Sequence, residues 1–140
     1  YGASAPEARR RADRSLGELG LTERAGDRAK SLSGGLQRRL SIAMALIPDP
    51  LVLFLDEPTL GLDVRARREL WELLRGLKGE KTVVLTTHYL EEAEALSDRI
   101  GVMHEGRLRA LGTVQELLRL TGTGNFEDAF LQLTETEATP

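Results

Sequence analysis

Leu51-Val52-Leu53-Phe54-Leu55-Asp56-Glu57-Pro58-Thr59-Leu60-Gly61-Leu62-Asp63 is the stretch that organises this 140-residue chain. Five apolar residues run straight into two acids, and then the chain turns. An unbroken apolar run of this length suits a strand covered on both faces, in the middle of a sheet. Asp56 and Glu57 emerge at its carboxyl end, where open α/β sheets place their ligands. Adjacent side chains on a strand point to opposite faces, so the two acids need not share a task. One can hold a metal ion while the other faces a water. Pro58 forbids simple continuation of the ladder. Taken alone, such a run is as often a buried strand with solvated acids as a functional site. Its neighbours decide.

Composition sets the outer bounds. Apolar residues make up 41% and charged residues 29%, as in an ordinary globular domain with a core of its own. The net charge of −3 argues against bulk attraction to nucleic acid or to an anionic membrane, and no nucleic-acid partner is expected. The chain has no cysteine, which excludes a disulfide framework and a thiolate metal site. Its apolar runs fall short of the roughly 18 residues that span a bilayer, and no secretory signal opens it. It starts at Tyr1 rather than Met, which suggests a piece of a longer chain.

Upstream of the central stretch, Ala5 to Gly20 reads as a helix, with Pro6 in the first turn and Ala8, Ala12, Leu16 and Leu19 at helical spacing. Arg9, Arg10, Arg11 and Arg14 lie mostly off that stripe, and a solvated helix face is the simpler reading of them than a phosphate site. Leu21 to Leu32 is turn-rich. Ser33-Gly34-Gly35 opens a second helix, with Ser33 as N-cap and Leu36, Leu40, Ala43, Met44 and Ile47 as its apolar face. Pro48-Asp49-Pro50 stops it.

Downstream, Val64 to Leu77 is an amphipathic helix with Leu70, Trp71, Leu74 and Leu77 inward. Thr82 to Thr86 is a second buried strand. Strand, helix and strand at this spacing make a βαβ unit with parallel strands. Thr87-His88 leads into a helix from Tyr89 to about Ser97. Ile100–Met103 and Leu108–Leu111 form a hairpin around Glu105-Gly106. Val114–Leu120 and Phe126–Leu133 are short helices, and the polar tail from Thr134 to Pro140 is predicted to fray.

Three further features join the acid pair. Gly34 and Gly35 at a helix start let a ligand or another chain come close to the backbone, and the exposed N–H groups favour phosphate. The Ser33 hydroxyl adds a donor. His88 follows a strand at the same end of the sheet as the acids, where an imidazole can bond a phosphate oxygen or position a water. Asp63 is well placed to cap the helix that follows it. Each has a bland alternative: a capped helix, a structural histidine, a simple N-cap.

Together, LSGG at 32–35, DEPTLGLD at 56–63 and TTH at 86–88 resemble the ATP-binding subunit of ABC transporters over nearly the whole chain. Leu32–Leu36 is similar to the family's signature motif, with Leu36 where Gln is commonest. Leu51–Asp56 resembles Walker B, Leu60–Asp63 the D-loop and His88 the switch histidine. Thr87–Glu94, Asp98-Arg99-Ile100 and Phe126–Thr134 resemble the drug- and lipid-exporter branch. The resemblance implies ATP and Mg²⁺ as ligands. Asp56 would bind magnesium through water, with Glu57 as general base and His88 steadying the transferring phosphate. Ser33, Gly34 and Gly35 would close on the γ-phosphate held by a second ATPase subunit, and Asp63 would link the two sites. A transmembrane permease would be the other partner, with the subunit at the cytoplasmic side of the membrane.

The sequence has no G-x-x-x-x-G-K-[ST] phosphate loop. Gly76-Leu77-Lys78-Gly79-Glu80-Lys81-Thr82 comes nearest, but Glu80 replaces the second glycine and the order runs from helix to strand. The expected fold is therefore α/β, an incomplete P-loop NTPase core. Residues 1–50 would belong to the helical signature subdomain, 51–113 to the second half of a RecA-like core and 114–140 to carboxyl-terminal helices. The resemblance also implies a gap between the strand before His88 and Ile100–Met103, where the P-loop strand lies in the family. The expected function is ATP hydrolysis coupled to export, which the chain would not perform by itself. The alternatives are a short non-catalytic paralogue that lends its signature motif to a partner, and a structural βαβ protein.

Overall fold

Ser4 starts the first helix by accepting the Glu7 N–H, with Pro6 in a first turn that needs no donor. This helix, α1 (Ala5–Glu18), ends just before Gly20, whose φ is +65°. Two short 3₁₀ turns lead to α2 (Gly34–Leu46), and then come β1 (Val52–Asp56), α3 (Val64–Gly76) and β2 (Thr82–Thr86). Past Thr86 the chain forms α4 (Leu90–Leu96), β3 (Ile100–His104), β4 (Arg107–Gly112), α5 (Val114–Thr121) and α6 (Phe126–Thr134). This is a computed structural model that describes residues 2–135. It divides after Thr86 into two compact units. Residues 136–140 of the tail predicted to fray lie outside the described residues, while Thr134 closes α6.

In the first unit β1 and β2 pair in parallel, from Val52↔Thr82 to Asp56↔Thr86, with α3 as the crossover. The expected βαβ unit is present. Its strands are not covered on both faces. Leu53 and Leu55 are buried, but Phe54 is 75% exposed and Val52 and Val84 are also open to solvent. β2 reaches only partial burial, at Val83 and Leu85. The sheet is two strands wide, and one of its faces lies bare among the described residues. α2 also presents a different face from the one its spacing suggested. Ile42, Ala43 and Leu46 are buried, whereas Met44 is exposed, because α1 and α3 both pack against this helix and turn its apolar side between them. On α3, Leu70 and Leu74 are buried as expected. The arginines of α1 face solvent or its margin and pair with the helix's own acids: Arg11 Nε lies 2.8 Å from Glu7, and Arg14 Nε 2.8 Å from Glu18.

Lys81, just ahead of β2, fixes how that strand meets the end of α2. Its side chain is 6% exposed, and Nζ lies 2.6 Å from Asp49 Oδ1 and 3.4 Å from the Pro50 carbonyl. The Lys81 ammonium bonded to Asp49 holds that carboxyl below its ordinary value.

In the second unit β3 and β4 form the expected antiparallel hairpin, with an irregularity between Val102 and Met103. No described strand of one unit pairs with a strand of the other, so the described residues hold two separate two-stranded sheets. Ile100, Val102, Leu117, Phe126 and Ala129 make a buried cluster. Thr113 starts α5 with a capping box: its hydroxyl accepts the Glu116 N–H, and the Glu116 carboxylate accepts the Thr113 N–H at 2.8 Å. That backbone N–H, with the Thr113 hydroxyl, keeps the Glu116 carboxyl below its ordinary value.

Thr113→Ala should weaken this unit by about 1 kcal/mol, read as roughly fivefold faster amide exchange along α5. Glu116 titrates lower folded than unfolded, so its contribution is full above pH 4.5, the ordinary glutamate value, and fades as pH falls below it. Glu116→Gln should flatten that acid limb in a stability-against-pH series.

Candidate functional site

The parallel register brings Asp56 at the end of β1 alongside Thr86 at the end of β2. The ladder closes one step further on. The Glu57 N–H donates to the Thr86 carbonyl at 3.1 Å and also reaches the Thr86 hydroxyl oxygen at 3.3 Å. The same hydroxyl donates its proton to Asp56 Oδ1. Glu57 then leaves the strand with φ +46°, a left-handed conformation that residues with a side chain rarely adopt and that costs about 1 kcal/mol or more. Pro58 and Thr59 behind it are buried, as is Glu57 Oε2. The Thr59 hydroxyl oxygen is buried with no hydrogen-bond partner among the described residues. Asp56 itself is exposed, and its Oδ2 has no protein partner among the described residues.

Past the acids the chain turns twice, through Leu60 N–H to the Glu57 carbonyl and Leu62 N–H to the Thr59 carbonyl, with Gly61 at φ +78°. Asp63 then caps α3 by accepting the Ala66 N–H at 2.9 Å. Ser33 caps α2 in the same way, accepting the Leu36 N–H at 3.4 Å, which leaves its hydroxyl proton to donate. The two glycines that follow have different surroundings. A Cβ on Gly34 would meet nothing within 4 Å, whereas one on Gly35 would lie 3.2 Å from the Ala66 Cβ. Gly34 therefore has the open side that a ligand could approach, and Gly35 gives up its side chain to pack against α3. Four residues on, Arg39 Nη2 bonds Glu69 Oε2 of α3 at 2.6 Å with only 14% of the arginine side chain exposed. Arg65 holds the other Glu69 oxygen at 3.0 Å. The Arg65 bond, aided by the charge of Arg39, holds the Glu69 carboxyl below its ordinary value.

Six of the seven expected site residues thus stand in the first unit. Asp56 and Glu57 are joined through Thr86, and Gly35 meets Asp63 through Ala66. His88 belongs to the second unit. It is exposed, with its ring centroid 4.1 Å from that of Tyr89 at an interplanar angle of 41°. Tyr89 in turn donates its N–H to the Thr87 hydroxyl at 3.0 Å.

Among the described residues no cluster of three or more His, Cys, Asp or Glu could hold a metal ion. A single open carboxylate oxygen on Asp56 still fits magnesium, which keeps most of its waters and takes one or two carboxylates with phosphate oxygens. Thr86 and Ala66 escape a reading of the sequence. Thr86 was legible as the end of a strand, but its bond to Asp56 depends on the register of two parallel strands. Ala66 matters only because a glycine faces it.

The glycine asymmetry is testable. Gly35→Ala should destabilise the chain by about 1–2 kcal/mol through overpacking against Ala66, while Gly34→Ala should leave the folding midpoint nearly unchanged. Ala66→Gly in the Gly35→Ala background should recover part of the loss, with a coupling of about 1 kcal/mol in a double-mutant cycle. Additive effects would show that the two helix starts do not press on each other.

The chain is similar to several known proteins. A family model described as ABC transporter matches residues 3–60. The chain is 51% identical over 112 residues to ABC transporter A family member 2 of Arabidopsis thaliana, covering 80% of this chain and 11% of that protein. It is 50% identical over 119 residues to the daunorubicin resistance ATP-binding protein DrrA3 of Streptomyces coeruleorubidus, covering 84% of this chain and 38% of that protein. The chain therefore spans well under half the length of these relatives. Among solved structures, an ATP-binding subunit of an ABC transporter superposes with a TM-score of 0.75 at 30% identity, over 96% of this chain and 57% of that one. By these likenesses in sequence and in structure, the chain belongs to the ATP-binding domains of the ABC transporter family.

Proposed function

We propose that this chain supplies the signature and Walker B part of an ATP-hydrolysing subunit of an ABC-type export transporter. The observation that carries the reading is the pair of acids at the carboxyl end of parallel strands, with Asp56 on the ladder and Glu57 turned off it by a left-handed backbone. That backbone break gives two adjacent carboxylates two environments, which separate tasks require.

Hydrolysis of the terminal phosphate needs a water placed in line, a group to take its proton, and positive charge around the phosphoryl oxygens. Glu57 orients the water and accepts its proton as the oxygen attacks phosphorus. Asp56 offers its open oxygen to magnesium or to a water bound to it; the metal, when bound, neutralises charge that develops on the phosphates. His88 hydrogen-bonds a phosphate oxygen from the loop that follows β2. Ser33 donates its hydroxyl proton, and the backbone N–H groups at the start of α2 turn, to the γ-phosphate held by the second subunit. Asp63 connects one nucleotide site to the other. The phosphate loop comes from sequence that this chain does not contain.

The same reading assigns residues 1–50 to the helical subdomain, 51–113 to the catalytic core and 114–140 to the carboxyl-terminal helices. It gives the chain a second ATPase subunit and a transmembrane permease as partners, at the cytoplasmic face of a membrane. No described helix is long and apolar enough to cross a membrane. The relative named as a daunorubicin resistance ATP-binding protein supports the reading as part of an exporter.

The test is a chimera in which this sequence replaces the matching part of the daunorubicin resistance protein. It should bind ATP and hydrolyse it with magnesium, and Glu57→Gln should lower kcat at least about 100-fold while ATP binding persists. A chimera that binds ATP but turns it over without regard to Glu57, or not at all, would sink the proposal. The 140-residue chain by itself should show no magnesium-dependent turnover.

A further inference from the structure

We infer that Thr86 is a positioning residue that sets the two acids for their separate tasks, with one hydroxyl group holding both. The inference rests on the reading of Asp56 as the acid that faces a cation and Glu57 as the acid that faces water. A threonine hydroxyl has one proton and two lone pairs. Here the proton goes to Asp56 Oδ1 and a lone pair receives the Glu57 N–H at 3.3 Å. Two consequences follow.

The first concerns which carboxylate oxygen is available. With Oδ1 bonded to Thr86, the oxygen left for a cation or its water is Oδ2. The carboxylate is also fixed in rotation, and a hydrogen bond to a charged acceptor is among the stronger kinds. A cation that binds an oriented carboxylate does not have to freeze it first. The second concerns the turn. The Glu57 N–H is shared between the Thr86 carbonyl and the Thr86 hydroxyl at the residue where φ reaches +46°. The hydroxyl therefore helps to hold a backbone conformation that glutamate disfavours.

The side chain can be dissected without loss of shape. Valine keeps the volume and the strand preference of threonine and deletes only the hydroxyl's bonds. Serine keeps the hydroxyl. The ladder bond from the Glu57 N–H to the Thr86 carbonyl is made by backbone and is common to all three, so none of the variants removes it.

The experiment uses the 140-residue chain and Mn²⁺ as a paramagnetic stand-in for magnesium. Amide resonances of Asp56 and Glu57 are followed by NMR during titration, with Asp56→Asn as the control that should abolish their selective broadening. Thr86→Val should weaken Mn²⁺ binding at these residues at least threefold and speed exchange of the Glu57 amide, while the thermal midpoint stays close to that of the parent. Thr86→Ser should restore both. Broadening that is present in the parent and unchanged by Thr86→Val would overturn the role of Thr86 and leave the reading of Asp56 standing. Absence of selective broadening in the parent would overturn the cation-facing reading of Asp56, and the inference with it.

Discussion

The parallel pairing of Val52–Asp56 with Thr82–Thr86 is the constraint on which the rest depends. Parallel strands need a crossover, and here α3 supplies it. The crossover must leave from the carboxyl end of β1, so the two acids, the turn and the Asp63 cap all fall at one end of the sheet. The register is pinned at one end by the residue just ahead of the second strand and at the other by a side chain of that strand. At the start, Lys81 reaches Asp49 and the Pro50 carbonyl just before β1, and the Thr82 N–H meets the Leu51 carbonyl at 2.9 Å. At the finish, Thr86 holds Asp56 and Glu57. A slip of one residue would turn Leu53 and Leu55 out to solvent and break both anchors.

α2 and α3 share their N-terminal support. Ala66 donates its N–H to Asp63 and presents its Cβ to Gly35. Arg39 and Glu69 join the same two helices four and three residues further on. A displacement of the Ser33 cap is therefore felt at the Asp63 cap through packed atoms and one ion pair, with no flexible segment between them. The two helix starts therefore share one mechanical reference.

Much of the outline was legible in the sequence. Proline and glycine marked the ends of α2 and α3, serine and aspartate marked their starts, and the apolar run of β1 stood out because helices elsewhere carry charge every few residues. What could not be read depends on contacts between elements. The apolar run looked covered on both faces, yet Phe54 is exposed, because a sequence shows that a face is apolar and not whether anything packs on it. The face of α2 was misplaced because two helices share it. Thr86 was a strand residue until its register with Asp56 was known. The functional motifs were easier to find than the burial pattern because their chemistry needs particular residue types at particular spacings, whereas a core accepts any apolar side chain of suitable volume.

β1 is flanked by two left-handed residues that are not glycine, Asp49 at φ +54° and Glu57 at φ +46°. Glycine would adopt either conformation without strain. Each position instead carries an acid, and a side chain from β2 or its threshold steadies the turn: Lys81 pairs with the Asp49 carboxylate, and Thr86 takes the Glu57 N–H. The difference lies in what the neighbouring side chain binds. At Asp49 the partner binds the carboxylate itself, and the strain is offset by a bond that ties α2 to the sheet. At Glu57 the bonds from Thr86 go to the backbone, so the turn is held without Thr86 drawing on the carboxylate. The same strained geometry is thus held through the side chain at one end of the strand and through the peptide at the other. The choice between them is made by whether the neighbouring strand reaches for the side chain or for the peptide.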